Sequence, residues 1–185
     1  FSRDEMKQWE MQKIFKDAEV ALVYDLWAII QSDVNKLNNT RFTQPALLAC
    51  SFAMWQLYKN SSKQVPILLA GHSLGEYSAL VCAGSIGFVD GLRLVEKRGE
   101  FMQKCVEGTQ TAMSAVIGLA DAEVIAACKE SSNGEVVSAV NFNSPGQVVI
   151  AGVKSAVDRA GLLLKEKGAK RVLPLSVSVP SHCEL

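Results

Sequence analysis

Polar and charged residues crowd the start of the chain, and residues 3–19 read as a charged helix. A second helix is expected to begin after Thr43, which can cap it, with Pro45 in its first turn. Its apolar positions Leu47, Leu48, Met54, Trp55 and Tyr58 fall broadly on one helical face. Asn60-Ser61-Ser62-Lys63 reads as a loop. The apolar run Val65-Pro66-Ile67-Leu68-Leu69-Ala70 that follows is expected to be a short buried strand. It leads into Gly71-His72-Ser73-Leu74-Gly75, then a helix through Ala79, Leu80 and Cys82, then another helix over roughly residues 89–106.

From about residue 111 the rhythm changes. Residues 113–119 read as a strand, and Asp121 as the cap of a helix with Val124, Ile125 and Cys128 on one side. Residues 136–141 and 148–153 are expected strands joined by the turn-forming Asn143-Ser144-Pro145-Gly146. Ser155 reads as the cap of a helix with Val157, Ala160, Gly161 and Leu164 at i, i+3, i+4, i+7, ended by Gly168. Residues 171–177 make a last strand. The order β-α-β-β-α-β is that of ferredoxin-like domains. The expected class is therefore α/β: a larger α/β unit over residues 1–108 and a small ferredoxin-like unit over 109–185.

Composition narrows the function. Hydrophobic residues at 49% and a mean hydropathy of +0.15 suit a packed interior. Nineteen basic residues balance nineteen acidic ones, which gives nonspecific nucleic-acid or anionic-membrane binding no support as a main activity. The five cysteines are odd in number, scattered and without a C-x-x-C pair, so neither a zinc site nor a disulfide framework is expected. They read as reduced thiols of a cytoplasmic protein. No signal-peptide pattern opens the chain and no apolar run reaches membrane-spanning length. The chain starts without Met and closes on Ser181-His182-Cys183-Glu184-Leu185, and reads as cut at both ends.

Gly71-His72-Ser73-Leu74-Gly75 fits G-x-S-x-G, and a strand before it with a helix after it is the setting of a nucleophile elbow. The backbone N–H of Leu74 would then stand at a helix N-terminus, able to donate to an oxyanion. The plainer alternative is a glycine-flanked turn whose serine only caps the helix. Two histidines are available as base. The turn sends the side chain of His72 away from the Ser73 hydroxyl, which leaves it a packing or supporting residue. His182 is the other candidate.

In the helix from about residue 89, Leu94, Val95, Phe101, Met102 and Cys105 form the expected apolar stripe, and Arg98 falls in its middle. A guanidinium there needs a partner, because an unpaired buried charge is costly. That partner is either a carboxylate of the protein, in a structural ion pair, or a substrate carboxylate held at two points. Near the chain's end Lys165, Lys167, Lys170 and Arg171 cluster, either as solvated complements of a helix dipole or as a docking patch for an acidic partner.

Together these blocks resemble a known family. Gly71-His72-Ser73-Leu74-Gly75-Glu76-Tyr77-Ser78-Ala79-Leu80 resembles the active-site segment of bacterial malonyl-CoA:acyl carrier protein transacylases. Thr43–Leu47, Val95–Gly99, Val140–Gln147 and Val179–His182 look like further blocks in the family's order, and the likeness runs from about Phe15 to the end. The resemblance implies an α/β-hydrolase-like large subdomain with an inserted ferredoxin-like small one. It implies Ser73 as nucleophile, His182 as its base and Arg98 as ligand of the malonyl carboxylate. Leu74, Asn143 and Met102 are expected beside the substrate. Two family elements lie outside this sequence: a Gly-Gln-Gly-Ser-Gln turn upstream, with an oxyanion donor, and a C-terminal third that orients the histidine. Low activity is therefore expected of the 185-residue polypeptide itself.

The implied reaction is ping-pong acyl transfer from malonyl-CoA to the phosphopantetheine thiol of acyl carrier protein, with no metal or bound cofactor, by a monomer. A serine esterase or thioesterase would share the elbow but would normally orient its histidine with a carboxylate and would not need Arg98. A non-enzymatic fragment that binds carrier protein, and a polyketide synthase acyltransferase domain, are the other readings.

Overall fold

Three short polar side chains punctuate the N-terminal half of the protein. In the computed structural model, which describes residues 3–177 and 179–185, a first helix α1 runs Arg3–Leu22. Asp25 then caps α2 (Leu26–Ser32) by accepting from the Ala28 N–H at 2.8 Å. Asp33 caps the single turn α3 (Val34–Leu37), accepting from Lys36 at 2.9 Å. Asn39 caps α4 (Thr40–Ser61), accepting from Arg41 at 3.0 Å. Each satisfies an N–H that a helix start leaves without an intrahelical partner.

The start of α4 corrects the expected one. Asn39 has the extended backbone and the side-chain oxygen that a cap needs, so the helix begins four residues before Gln44. Pro45 consequently stands inside the helix, and Thr43 turns its hydroxyl back to the carbonyls of Asn39 and Leu37 instead of capping. The buried face of α4 also differs from the large apolar residues expected. It consists of Gln44, Pro45, Ala46, Leu48, Ala49 and Ala53, while Leu47, Met54 and Tyr58 face outward. Small side chains let neighbouring helices approach closely, and that gain in packing outweighs burying the bulkier ones.

Two further helices, α5 (Leu74–Cys82) and α6 (Phe88–Cys105), pack on this frame. Phe15, Ala18 and Leu22 of α1, Leu26 of α2, Ala46, Leu48 and Ala49 of α4, Val81 of α5, and Leu92 and Val95 of α6 form one core cluster. The face of α6 that is buried is Gly91, Leu92, Val95 and Gly99. Leu94, Phe101 and Cys105, expected in an apolar stripe, are exposed. The glycines explain the difference: a Cβ on Gly99 would lie 2.3 Å from the Thr40 carbonyl oxygen, and one on Gly91 would lie 2.6 Å from Val81.

The strand expected over residues 65–70 does not form. That segment is irregular, and Val65, Ile67 and Leu68 are 84%, 95% and 84% exposed. A strand exists by pairing, and among the described residues every strand belongs to one sheet built from residues 111–174.

That sheet is the centre of the second of the chain's two compact units, Phe1–Phe101 and Met102–Leu185, whose boundary falls within the span of α6. The order is β1 (Thr111–Ile117), α7 (Asp121–Ser131), β2 (Val137–Ser144), β3 (Gln147–Val153), α8 (Lys154–Glu166), β4 (Arg171–Pro174). The strands lie side by side as β2-β3-β1-β4, every neighbour antiparallel. Both expected cap positions shift by one or two residues. Ala120 precedes α7, with its N–H donating to Glu123 at 3.0 Å, and Ser155 lies inside α8, donating to the Glu135 carboxylate at 2.7 Å. The last strand is also shorter than expected.

Alternation along the strands gives the sheet two buried faces. Val116, Val148 and Ile150 pack with Val124, Ala127 and Cys128 of α7 and with Val157, Ala160 and Leu164 of α8. Met113, Val149 and Ala151 form a separate cluster with Val140 and Cys183. The chain's last residues are seated there: Leu175 N–H donates to the Met113 carbonyl at 2.9 Å, and Ser181 N–H to its sulfur at 3.5 Å. The thiol of Cys128 is pushed up to about 11 by burial, and those of Cys50 and Cys82 are raised for the same reason. Among the described residues no helix is long and apolar enough to cross a membrane.

Candidate active site

Ser73 sits at φ 55, ψ −112, a conformation that costs a residue with a Cβ about 1–3 kcal/mol. The strain follows from the turn into α5. Gly75 N–H donates to the His72 carbonyl at 2.9 Å and Glu76 N–H to that of Ser73 at 3.3 Å, so the chain reverses within a few residues. Gly71 is the residue that makes this reversal possible, because a Cβ there would lie 1.9 Å from the Gly75 carbonyl. Gly75 has open space around its Cβ position, so the second glycine of the motif is not required by crowding.

Ser73 occupies the N-cap position of α5, yet its side chain makes no capping hydrogen bond. The plain helix-cap reading therefore fails. The hydroxyl oxygen instead accepts from Arg98 Nη2 at 3.1 Å. Leu74 is the first residue of α5, where a backbone N–H has no intrahelical acceptor and feels the positive end of the helix dipole. His72, read from sequence as a packing or supporting residue, is exposed, which sets aside the packing role.

Arg98 projects from α6 beside the buried Val95 and Gly99 and is itself half-buried. Nη1 donates to the Gln44 side-chain oxygen at 2.7 Å, and the guanidinium carbon lies 5.8 Å from the Tyr77 ring centroid. Its partners are thus two neutral oxygens and a ring face. Glu96 and Glu100 of the same helix pair elsewhere: Glu96 with Arg41 at 3.2 Å, Glu100 with Arg41 at 3.4 Å and with Lys97 at 2.6 Å. The structural ion pair considered for Arg98 is not what these contacts form. Gln44, buried to 4% exposure, is the member of this group that sequence reasoning missed. A lone polar residue on the buried face of α4 was the available signal, hidden by the late helix start expected at Thr43.

Gly99 holds this geometry from behind. Thr40 Oγ1 donates to the Gly99 carbonyl at 3.0 Å, and backbone atoms fill the space where a Cβ would go. Gly99→Ala is expected to force α4 and α6 apart and to displace Arg98 from Gln44. Overpacking of this kind costs about 1–3 kcal/mol, so a thermal melt should fall by several degrees and activity should fall with it.

The other candidate residues belong to the second unit. His182 is exposed, with φ 66, in a turn held by the Ser181–Met113 contact and by the Cys183 thiol donating to the Pro180 carbonyl at 3.4 Å. Asn143 is exposed on β2 at an irregularity of register: Phe142 pairs with Val148 and Ser144 with Gln147, leaving Asn143 as the extra residue. Bulges of this kind re-aim a side chain. Met102, half-buried, is the first residue of that unit. Among the described residues, no group of three or more His, Cys, Asp or Glu could hold a metal ion.

Comparison with known proteins adds the following. The sequence profile of the acyl transferase domain family matches residues 5–184. A malonyl CoA-acyl carrier protein transacylase of Salmonella typhimurium is 58% identical over 176 residues, 95% of this chain and 57% of that protein. A solved acyl carrier protein S-malonyltransferase from Vibrio cholerae superposes with a TM-score of 0.85 at 57% identity, over 94% of this chain and 57% of the other. A malonyl-transacylase solved in complex with its type II PKS acyl-carrier protein gives a TM-score of 0.89 at 55% identity, over 95% and 57% of the two chains. The chain thus spans a little over half the length of these relatives. With them it shares a mixed α/β fold containing a small antiparallel sheet.

Proposed function

The chain belongs to the acyl transferase domain family, and from that membership we propose that it transfers a malonyl group from coenzyme A to the phosphopantetheine thiol of an acyl carrier protein. The observation that carries this reading is the Arg98 guanidinium, 3.1 Å from the Ser73 hydroxyl and matched otherwise by neutral groups. A short acyl group esterified to Ser73 and ending in a carboxylate would meet that cation directly. An arginine is suited to the task because its planar fork matches a carboxylate at two points.

The chemistry runs in two half-reactions. His182 takes the proton of the Ser73 hydroxyl as Ser73 Oγ attacks the malonyl thioester carbonyl. The Leu74 N–H donates to the developing oxyanion. Collapse expels the thiolate of coenzyme A, which takes the proton from His182, and leaves a malonyl-serine ester with its carboxylate on Arg98. The carrier protein's thiol then attacks the ester, giving its proton to His182, and Ser73 recovers that proton as it leaves. Asn143 and Met102 contribute to the substrate's surroundings. The relative named as a complex with an acyl-carrier protein supports a carrier protein as the acceptor.

A finer fold reading belongs with this one. The strained turn at Ser73 and the helix α5 after it are the parts of a nucleophile elbow that support an α/β-hydrolase-like large subdomain, the strand before it not being formed over residues 65–70. The β-α-β-β-α-β order with its β2-β3-β1-β4 sheet supports a ferredoxin-like insert.

The decisive experiment gives the full-length protein malonyl-CoA and holo-acyl carrier protein and follows malonyl-carrier protein against free malonate. Transfer is expected to exceed hydrolysis by a wide margin. His182→Ala is expected to slow formation of the acyl-enzyme by at least about 10²-fold, as loss of a general base does. Hydrolysis as the main outcome would instead identify a thioesterase.

A further inference from the structure

Gln44 is buried at 4% exposure among Pro45, Ala46 and Leu48 of α4, and its side-chain oxygen accepts from Arg98 at 2.7 Å. Among the described residues only Ser114 and Ser131 are comparably buried polar groups, and both lie in the other unit. A glutamate at position 44 would have the same reach and would bind a guanidinium more strongly than an amide does. The residue in that place is nevertheless neutral. The ring of Tyr77 and the hydroxyl of Ser73 are neutral as well, while Glu96 and Glu100 of α6 are paired with Arg41 and Lys97. The guanidinium is therefore held in position by groups that bring no opposing charge.

We propose that Gln44 is a positioning residue that sets acyl-group specificity: its amide oxygen fixes the Arg98 guanidinium while leaving the positive charge for the carboxylate of the incoming acyl group. The inference rests on the reading of Ser73 and Arg98 given above. An acyl group without a carboxylate gains nothing from the arrangement, whereas one with a carboxylate finds a cation already oriented. Orientation without compensation separates the two tasks that a single ion pair would merge. Specificity built in this way depends as much on withholding a carboxylate at position 44 as on supplying the arginine.

The test compares kcat/KM for malonyl-CoA and acetyl-CoA in the full-length protein carrying Gln44→Glu, Gln44→Met or Arg98→Ala, each with a thermal melt. Gln44→Glu supplies the anion from within. A carboxylate beside an arginine stays ionised, so malonyl transfer is expected to fall by about 10²-fold, mainly through KM, and acetyl transfer to change by less than about threefold. Gln44→Met keeps the length and burial but removes the acceptor. It is expected to lower malonyl transfer by about tenfold and to retain a preference for malonyl, because the charge remains. Should the glutamate variant fail to fold, the methionine variant decides alone: proportional losses for both thioesters overturn the proposal. In a folded glutamate variant, an unchanged malonyl-to-acetyl ratio overturns it too. Arg98→Ala separates this failure from the failure of the underlying site, since equal losses there would remove the carboxylate clamp itself.

Discussion

In the full-length protein, Ser73→Ala is expected to leave no covalent malonyl adduct by intact mass and no measurable transfer to carrier protein. The expectation comes from the local geometry as well as from the G-x-S-x-G pattern. Ser73 is held at φ 55 where its hydroxyl does not cap the helix it begins, so helix capping does not account for the strained placement. Strain of that kind persists where a function requires the geometry. Alanine keeps the Cβ and hence the backbone strain, and it removes the hydroxyl together with its hydrogen bonding, including the 3.1 Å contact from Arg98. Stability should therefore fall by no more than about 1.5–3 kcal/mol, the range for a hydrogen bond to a charged group, while the acyl-enzyme disappears altogether. A Ser73→Ala protein that still acquires a malonyl ester would place the nucleophile elsewhere. A variant that loses activity only together with its cooperative melt would show that the serine is structural.

How far the sequence discloses this site depends on how local each determinant is. The elbow is a matter of five neighbouring residues, and Gly71 makes the tight reversal that its position in the motif implies. Likewise the stripe Val157, Ala160, Gly161, Leu164 of α8 is buried as its spacing requires, and the β2–β3 hairpin closes at Pro145-Gly146 as its turn residues suggest. The run at residues 65–70 has strand composition too, but a strand needs a neighbour to complete its hydrogen bonds, and that neighbour is not written in the segment.

The helices show a second kind of limit. Periodicity scores large apolar side chains, so it selected Leu94 and Phe101 on α6, and Leu47 and Met54 on α4, all of which are exposed. The buried faces rest on Gly91 and Gly99 in one helix and on alanines in the other, where close approach matters more than side-chain size. That same approach brings Gln44 to Arg98. The arginine was identifiable from sequence as a charge in need of a partner. The identity of that partner was not, because residues 44 and 98 meet only through the packing of α4 on α6.

Arg98→Ala is expected to cost malonyl-CoA far more than acetyl-CoA. A charge-assisted hydrogen bond contributes about 1.5–3 kcal/mol, so the malonyl-to-acetyl ratio of kcat/KM should fall by about 10- to 100-fold. Acetyl transfer should hold or rise, because an acetyl-serine leaves the half-buried cation with only Gln44 and the Tyr77 ring for company. Arg98→Lys should restore malonyl transfer only in part: an ammonium supplies the charge without the planar two-point fork, and it cannot reach Gln44 and a carboxylate in the same way. The contacts of Arg98 sharpen the expectation further. Its hydrogen bonds go to neutral oxygens, so its removal breaks no ion pair of the fold and strands no buried carboxylate. The melting temperature should accordingly move much less than it would on breaking a buried salt bridge, for which the loss is about 3–5 kcal/mol. A large drop in stability with proportional losses for both thioesters would mean that Arg98 serves the packing of α4 against α6. A selective loss of malonyl transfer from a protein that still melts cooperatively near the parent temperature is the signature of a cation reserved for the substrate.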